Sequence, residues 1–211
     1  MSPRYDLIIF DVDGTLVDTI DSITEAAMKA IQVLDLPLVQ ESEVRKCIGP
    51  PLAKTMVQKG LLDEKDFDSF NNTFRSIYKD EFLLDAVLYP GVIDTLKSLY
   101  GKVKMAVATN KRYDYTEILL EKMGLTDYFD VIKGTDFENR LNKTDLIEQC
   151  LEKTGVPSER AVMIGDTIND KNAAEKASVD FIGVTYGFGL RGDERPEKYV
   201  NDIRELPDAV L

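Results

Sequence analysis

The 211-residue sequence contains no histidine. That absence removes histidine-based nucleophilic triads and imidazole metal sites, and leaves aspartate, threonine and lysine to carry polar chemistry. Cysteine is nearly as scarce. Cys47 and Cys150 stand far apart and in no metal-type spacing, so they read as reduced thiols in a cytoplasmic protein. Cations are the minority charge. The count of 26 Lys and Arg against 38 Asp and Glu gives a formal net charge of −12. No basic cluster stands out, so nucleic acid and anionic membrane surfaces are poor partners. Long apolar runs are missing too. Between Arg4 and Asp11 the only apolar run is Leu7-Ile8-Ile9-Phe10, too short for a signal peptide, and no later run could span a bilayer. There is no internal repeat and no low-complexity segment. What remains, 44% hydrophobic and 30% charged, supports one full core, or a core with a small inserted domain.

The stretch that organises the chain is Asp11-Val12-Asp13-Gly14-Thr15-Leu16-Val17-Asp18. It follows Tyr5-Asp6-Leu7-Ile8-Ile9-Phe10, which reads as a parallel strand buried on both faces. Ligands of open α/β sheets bind at the carboxyl ends of such strands. Side chains two apart on a strand point the same way, so Asp11 and Asp13 can face one site. Gly14 then permits a turn that a Cβ would resist. Two carboxylates this close invite a bound cation or a raised pKa on one of them. Both suit phosphoryl transfer, with one Asp as nucleophile, the other as general acid/base, and magnesium between them and the phosphate. Other readings compete. A solvated Asp-Gly turn would not be fed by an apolar strand. A calcium loop of the EF-hand kind needs Glu at its twelfth position, where Ser22 stands. A phospho-accepting receiver domain also carries acids near its first strand.

From Thr19 to about Leu84 the pattern is helical. A helix is predicted from Asp21 or Ser22 to Leu34, a short one from Ser42 to Cys47, another over 52–59, and one or two more over 63–84. The last carries an aromatic stripe, Phe67, Phe70, Phe74, Ile77, Tyr78 and Phe82, expected to be core. Tyr89-Pro90-Gly91 marks the return to the main domain. Strands are then predicted over 102–108, 129–133, 160–165 and 181–184, and helices over 92–100, 113–123, 143–154 and 171–177. A Gly-rich loop follows at 186–189, and a polar tail runs from Arg191. Alternating strands and helices predict an α/β fold, a doubly wound parallel sheet with a Rossmann-like core. The expected domains are 1–17 with 86–211 for the core and 18–85 for an inserted α-helical cap.

Three further positions point to chemistry. Thr109, at a strand end before Asn110 and Lys111, can hold a phosphate oxygen, although threonine there is more often structural. Lys143 opens a helix, where it opposes the helix dipole and asks for an anion; a solvated lysine is the alternative. Gly165-Asp166-Thr167-Ile168-Asn169-Asp170 repeats the pattern of an apolar strand running into carboxylates. Asp11 and Asp166 on two strand ends would suit magnesium, which takes one or two carboxylates plus waters and phosphate.

In chain order these are an acid pair, Thr, Lys and a second acid pair. That order, and Asp-x-Asp-Gly-Thr-Leu-x-Asp above all, resembles the motifs of the haloacid dehalogenase-like hydrolases. The resemblance covers nearly the whole chain. It implies that Asp11 attacks phosphorus and that Asp13 protonates the leaving oxygen and then activates water. It implies that Thr109, Asn110 and Lys143 hold the phosphoryl group, with Lys143 also neutralising Asp11. Asp11, Asp166 and the backbone carbonyl of Asp13 would bind Mg2+, and Asp170 would support Lys143 or the metal. A receiver domain no longer fits, because it has no room for a helical insertion. Asp13 argues against the dehalogenase and phosphonatase branches. Thr109-Asn110-Lys111, Tyr89-Pro90-Gly91 and the 186–189 loop look most like the phosphoglycolate phosphatase branch, which also holds pyrophosphatases and nucleotidases. That branch often has Pro after the motif lysine, where this chain has Thr144. A β-phosphoglucomutase-like sugar phosphomutase keeps both acids and is the alternative. Arg45 and Lys111 are candidates to read a second anionic group of the substrate, with solvated surface charge as the other reading. The expected protein is a cytoplasmic monomer or homodimer acting on a small phosphate ester.

Overall fold

In the computed structural model, residues 3–138, 140–190 and 195–211 are described. The start of the expected polar tail, Arg191 to Glu194, lies outside them. Two compact units emerge: Met1–Asp18 with Leu88–Leu211, and Thr19–Val87.

The first unit is built on a six-stranded sheet. The chain enters it with β1 (Leu7–Phe10). Two short strands, β2 (Val17–Asp18) and β3 (Val87–Leu88), mark the chain's exit from this unit and its return. The remaining strands are β4 (Lys104–Arg112), β5 (Val131–Thr135), β6 (Ala161–Gly165), β7 (Asp180–Val184) and β8 (Tyr199–Val200). The sheet order is β5-β4-β1-β6-β7-β8, and every pairing is parallel. All four residues of β1 are fully buried, as a central parallel strand requires. Leu7 and Ile9 join Ala106, Ala108, Ala161 and Met163 on one face, packed on Leu146, Ile147, Ala173 and Ala174. Phe10, on the opposite face, meets Phe129 edge-on at 6.1 Å. Burying each such large side chain is worth about 1.5–3 kcal/mol.

The second unit carries α1 (Ile20–Val33), α2 (Glu41–Arg45), α3 (Leu52–Gln58) and α4 (Phe67–Ile77). Ile23, Ala26, Ala27, Ala30 and Ile31 form the buried stripe of α1. The aromatic stripe is only partly core. Phe70 and Tyr78 are buried, while Phe67, Phe74, Ile77 and Phe82 are half-buried. The chain leaves α4 through a π-helical turn at Tyr78–Phe82, which changes the angular spacing on which the stripe depends. Phe74 stacks between Phe70 and Tyr78 at centroid distances of 6.0 and 5.8 Å. Arg45 donates to Asp21 Oδ1 at 2.6 Å and to Glu41 Oε1 at 2.8 Å within this unit.

The remaining helices, α5 (Val92–Leu99), α6 (Tyr113–Lys122), α7 (Lys143–Thr154), α8 (Ile168–Lys176) and α9 (Leu206–Val210), belong to the first unit. Several elements differ from expectation, among them the two-residue strands β2 and β3, which were not expected, and β5, which lies two residues beyond the strand expected over 129–133. β4 does not stop at Ala108 but continues through polar Thr109, Asn110 and Lys111 to Arg112, with an irregular pairing to β5 on the way. Helix α8 starts at Ile168 rather than Lys171, because Thr167 caps it in a capping box with Asp170. β8 was not expected; two residues carry no periodicity to read. Cys47 and Cys150 are both buried free thiols. Burial pushes Cys150 up to about 12, so it is held as the inert thiol.

Candidate active site

The sheet register assembles the site. Phe10 lies beside Val107 on one side and Ile164 on the other. The residues that follow these three strand positions therefore lie side by side at its carboxyl edge. Asp11 is the first beyond β1, and its N–H still donates to the Ile164 carbonyl at 2.9 Å. Asp166 is the first beyond β6, and Thr109 is on the extension of β4.

Lys143 enters from the first position of α7. Asn142 caps that helix, accepting the N–H groups of Thr144 and Asp145. The cap leaves Lys143 aimed inward, where its side chain is 2% exposed. The anions that its placement demands are present. Its Nζ donates to Asp11 Oδ2 at 2.5 Å, and also to Asp170 Oδ1. Asp170 is fixed from behind by Thr167, whose N–H and hydroxyl donate to Oδ2 at 2.9 and 2.6 Å. Asp11 Oδ1 accepts the Val12 N–H at 2.7 Å. Asp166 is held at both oxygens: Thr15 donates to Oδ1 at 3.2 Å and the Phe188 N–H to Oδ2 at 2.7 Å. Thr109 is buried and accepts the Lys111 N–H at 3.2 Å. Asn110 is half-buried. Asp13 is partly open, with Lys111 Nζ 3.1 Å from its Oδ1. The sequence-nominated Asp11, Lys143, Asp166 and Asp170 thus form one buried group, with Asp13 and Lys111 paired on a second. Arg45 belongs to the other unit and is engaged there with Asp21 and Glu41.

Several supporting groups were not named from sequence. Thr167 could have been, since Thr167-x-x-Asp170 is a capping-box signature. Thr15 meets Asp166 across 151 residues, and Phe188 acts through its backbone N–H, so neither leaves a local signal. Tyr186, flagged only as part of a Gly-rich loop, donates its hydroxyl to the Thr15 carbonyl at 2.8 Å and ties that loop to the first turn.

Gly14 makes the turn with φ +78°, and a Cβ there would lie 2.2 Å from Asp166 Oδ2. Gly14→Ala therefore meets both a left-handed backbone and a carboxylate that cannot yield without losing Thr15 or Phe188. It is expected to cost roughly 2 kcal/mol or more in a denaturant titration.

The electrostatics favour a cation. Oxygens of Asp11, Asp166 and Asp170 lie within 4.8 Å of one another. Burial pushes the Asp11 carboxyl up to about 7, with Lys143 pulling it down and Asp170 and Asp13 adding to the rise. Burial likewise raises Asp166 well above the carboxylate range, reinforced by Asp170 and Asp11. For Lys143 burial works downward, but the Asp11 and Asp170 carboxylates outweigh it and hold the ammonium above the ordinary lysine range. Three buried carboxylates face one ammonium, and the donor set is all oxygen. These residues fit a hard divalent cation.

A parallel sheet bearing a buried Asp–Lys pair and an acidic, all-oxygen cluster at its ligand edge is a frame suited to an anionic ligand and a hard cation. Comparison with known proteins agrees. Residues 8–184 match the haloacid dehalogenase-like hydrolase family. A phosphoglycolate phosphatase of Agrobacterium fabrum is 36% identical, the match covering 99% of this chain and 94% of that one. A 5'-nucleotidase of Pseudomonas aeruginosa is 30% identical over 98% of this chain and 96% of its own. Among solved structures, a haloacid dehalogenase-like hydrolase of Streptococcus pneumoniae superimposes with a TM-score of 0.90 at 27% identity, covering 98% of each chain. The chain belongs to the haloacid dehalogenase-like hydrolases, on their phosphoglycolate phosphatase-like branch. No described helix is long and apolar enough to cross a membrane.

Proposed function

We propose that this protein is a magnesium-dependent phosphomonoester hydrolase working through an aspartyl-phosphate, with a small ester of the phosphoglycolate kind as substrate. The observation that supports it most is the buried contact of Lys143 Nζ with Asp11 Oδ2 at 2.5 Å, at the end of the central strand. A nucleophilic carboxylate must approach an anionic phosphate, and an ammonium on it lowers that repulsion.

In the first half-reaction an Asp11 oxygen forms a bond to phosphorus as the ester P–O bond breaks. Asp13 gives its proton to the departing oxygen. In the second, Asp13 takes a proton from water, the water oxygen bonds to phosphorus, and the Asp11–phosphorus bond breaks. Thr109, Asn110 and Lys143 hold the equatorial oxygens, where charge is spread during transfer. Asp170 keeps Lys143 in place. Asp11, Asp166 and the backbone carbonyl of Asp13 would hold magnesium, whose charge would offset that of the phosphoryl oxygens. The acidity of the chain will not steer an anionic substrate from afar, so the attraction is local.

The test is phosphate release from phosphoglycolate, pyrophosphate, nucleoside monophosphates, sugar phosphates and an aryl phosphate. Release is expected with magnesium and is expected to stop with a chelator. Release that a chelator leaves unchanged would rule out the metal. Isomerised sugar phosphate with little free phosphate would make the protein a mutase.

A further inference from the structure

The 186–189 loop stands out in the sequence, yet the chemistry above gives Tyr186 no task. The tyrosine is half-buried, and two contacts fix it. Its ring rests on Tyr89, with centroids 4.7 Å apart. Tyr89 in turn donates its N–H to the Leu16 carbonyl at 3.1 Å. The Tyr186 hydroxyl donates to the Thr15 carbonyl at 2.8 Å. Both contacts therefore lead to the turn that follows Asp13.

These bonds close a ring around Asp166. One arm runs from Tyr186 through Thr15, whose hydroxyl donates to Asp166 Oδ1 at 3.2 Å. The other runs two residues along the loop to Phe188, whose N–H donates to Asp166 Oδ2 at 2.7 Å. Gly187 lies between them and lets the loop backbone rest against the aspartate. A Cβ there would lie 2.3 Å from the Gly14 carbonyl oxygen and 2.4 Å from Asp166 Cβ. Two donors thus set the plane of the Asp166 carboxylate, and Tyr186 ties the two donors together.

That plane matters because Asp166 is fully buried, and one of its oxygens lies within 4.8 Å of oxygens of Asp11 and Asp170. Carboxylates this close repel one another, so an unbraced one would turn away before a cation arrives. Groups behind a metal ligand hold its orientation, and affinity depends on them.

We propose that Tyr186 is a positioning residue for the cation: by bracing Thr15 against the 186–189 loop it holds Asp166 in the orientation that binds magnesium, and so sets the affinity of the site. This rests on the hydrolase reading, in which Asp166 is a magnesium ligand.

The test is cation binding to the full-length protein without substrate, with manganese followed by electron paramagnetic resonance and magnesium by calorimetry. Tyr186→Phe keeps the ring against Tyr89 and loses the hydroxyl. It is expected to raise Kd for both cations by about 10-fold or more, the usual effect of removing a group behind a metal ligand. In chelator it should melt within about 5 °C of the parent, the scale of one lost neutral hydrogen bond. Thr15→Val removes one arm of the ring and should weaken binding to a similar degree. The double variant should then lose much less than the product of the two single losses, because the two residues act in one ring. A Tyr186→Phe protein with the parent's Kd, whatever its melting temperature, would make Tyr186 a structural staple only and overturn the inference. Losses that multiply in the double variant would overturn it too, and both results leave the hydrolase reading standing. A parent that binds neither cation more tightly than Asp166→Asn does would remove the cation from that reading, and the inference with it.

Discussion

Asp11→Asn is expected to reduce magnesium-dependent phosphate release by roughly 10⁴-fold or more, the scale seen when an attacking group is removed. The fold should survive. The Asp11 carboxyl is buried, and Asp170 remains to pair with Lys143. Its amide oxygen can still accept from Lys143. In chelator, therefore, the variant should melt at or above the temperature of the parent. The pH dependence follows from the direction of the shift. Folding raises this carboxyl from 3.8 to about 7, so the folded state takes up a proton that the unfolded chain does not. The stability contributed by this group is full below about pH 4 and is lost as pH rises through about 7. The melting temperature of the variant relative to the parent should accordingly increase from pH 5 to pH 8. A thermal melt across that range checks it, and a constant difference would contradict the assigned burial cost.

Lys143→Met is expected to have the opposite effect on stability. It removes the ammonium and leaves Asp11 and Asp170 buried, 7% and 0% exposed, beside Asp166. Breaking a buried pair from one side typically costs about 3–5 kcal/mol, because the remaining charge has lost its partner. For a domain of this size that is a drop in melting temperature of roughly 6–20 °C. Magnesium should restore part of the loss, since a cation can stand against the same carboxylates. Turnover should also fall below detection. A variant that melts like the parent would mean that the carboxylates are not held together by this lysine.

The difference between these two substitutions shows which parts of the site are legible in sequence. Asp11 and Asp166 stand out because an apolar strand runs directly into each, a conflict of burial and charge that turns and surfaces do not produce. Lys143 is legible as an anomaly, a cation at a helix start. Its partners, 132 and 27 residues away, reach it only through the tertiary fold. Thr15 and the Phe188 N–H are silent in sequence for the same reason. The parallel sheet follows from the alternation of elements, but the polar end of β4 does not. Asn110 and Lys111 look like loop in sequence; in the fold the bare Gly134 leaves room for the Lys111 carbonyl and the Tyr113 backbone. The aromatic stripe over Phe67 to Phe82 has helical spacing that the π-turn shifts, so only Phe70 and Tyr78 reach full burial.

The central claim is that Asp11 carries the phosphoryl group. The most direct measurement is intact-mass and peptide mass spectrometry of the magnesium-loaded enzyme, acid-quenched during turnover of a phosphate ester. The expected result is one added phosphoryl group, mapped to the peptide that contains Asp11 and absent from Asp11→Asn. Turnover with no phosphoryl adduct at any quench time, or an adduct that persists in Asp11→Asn, would contradict it.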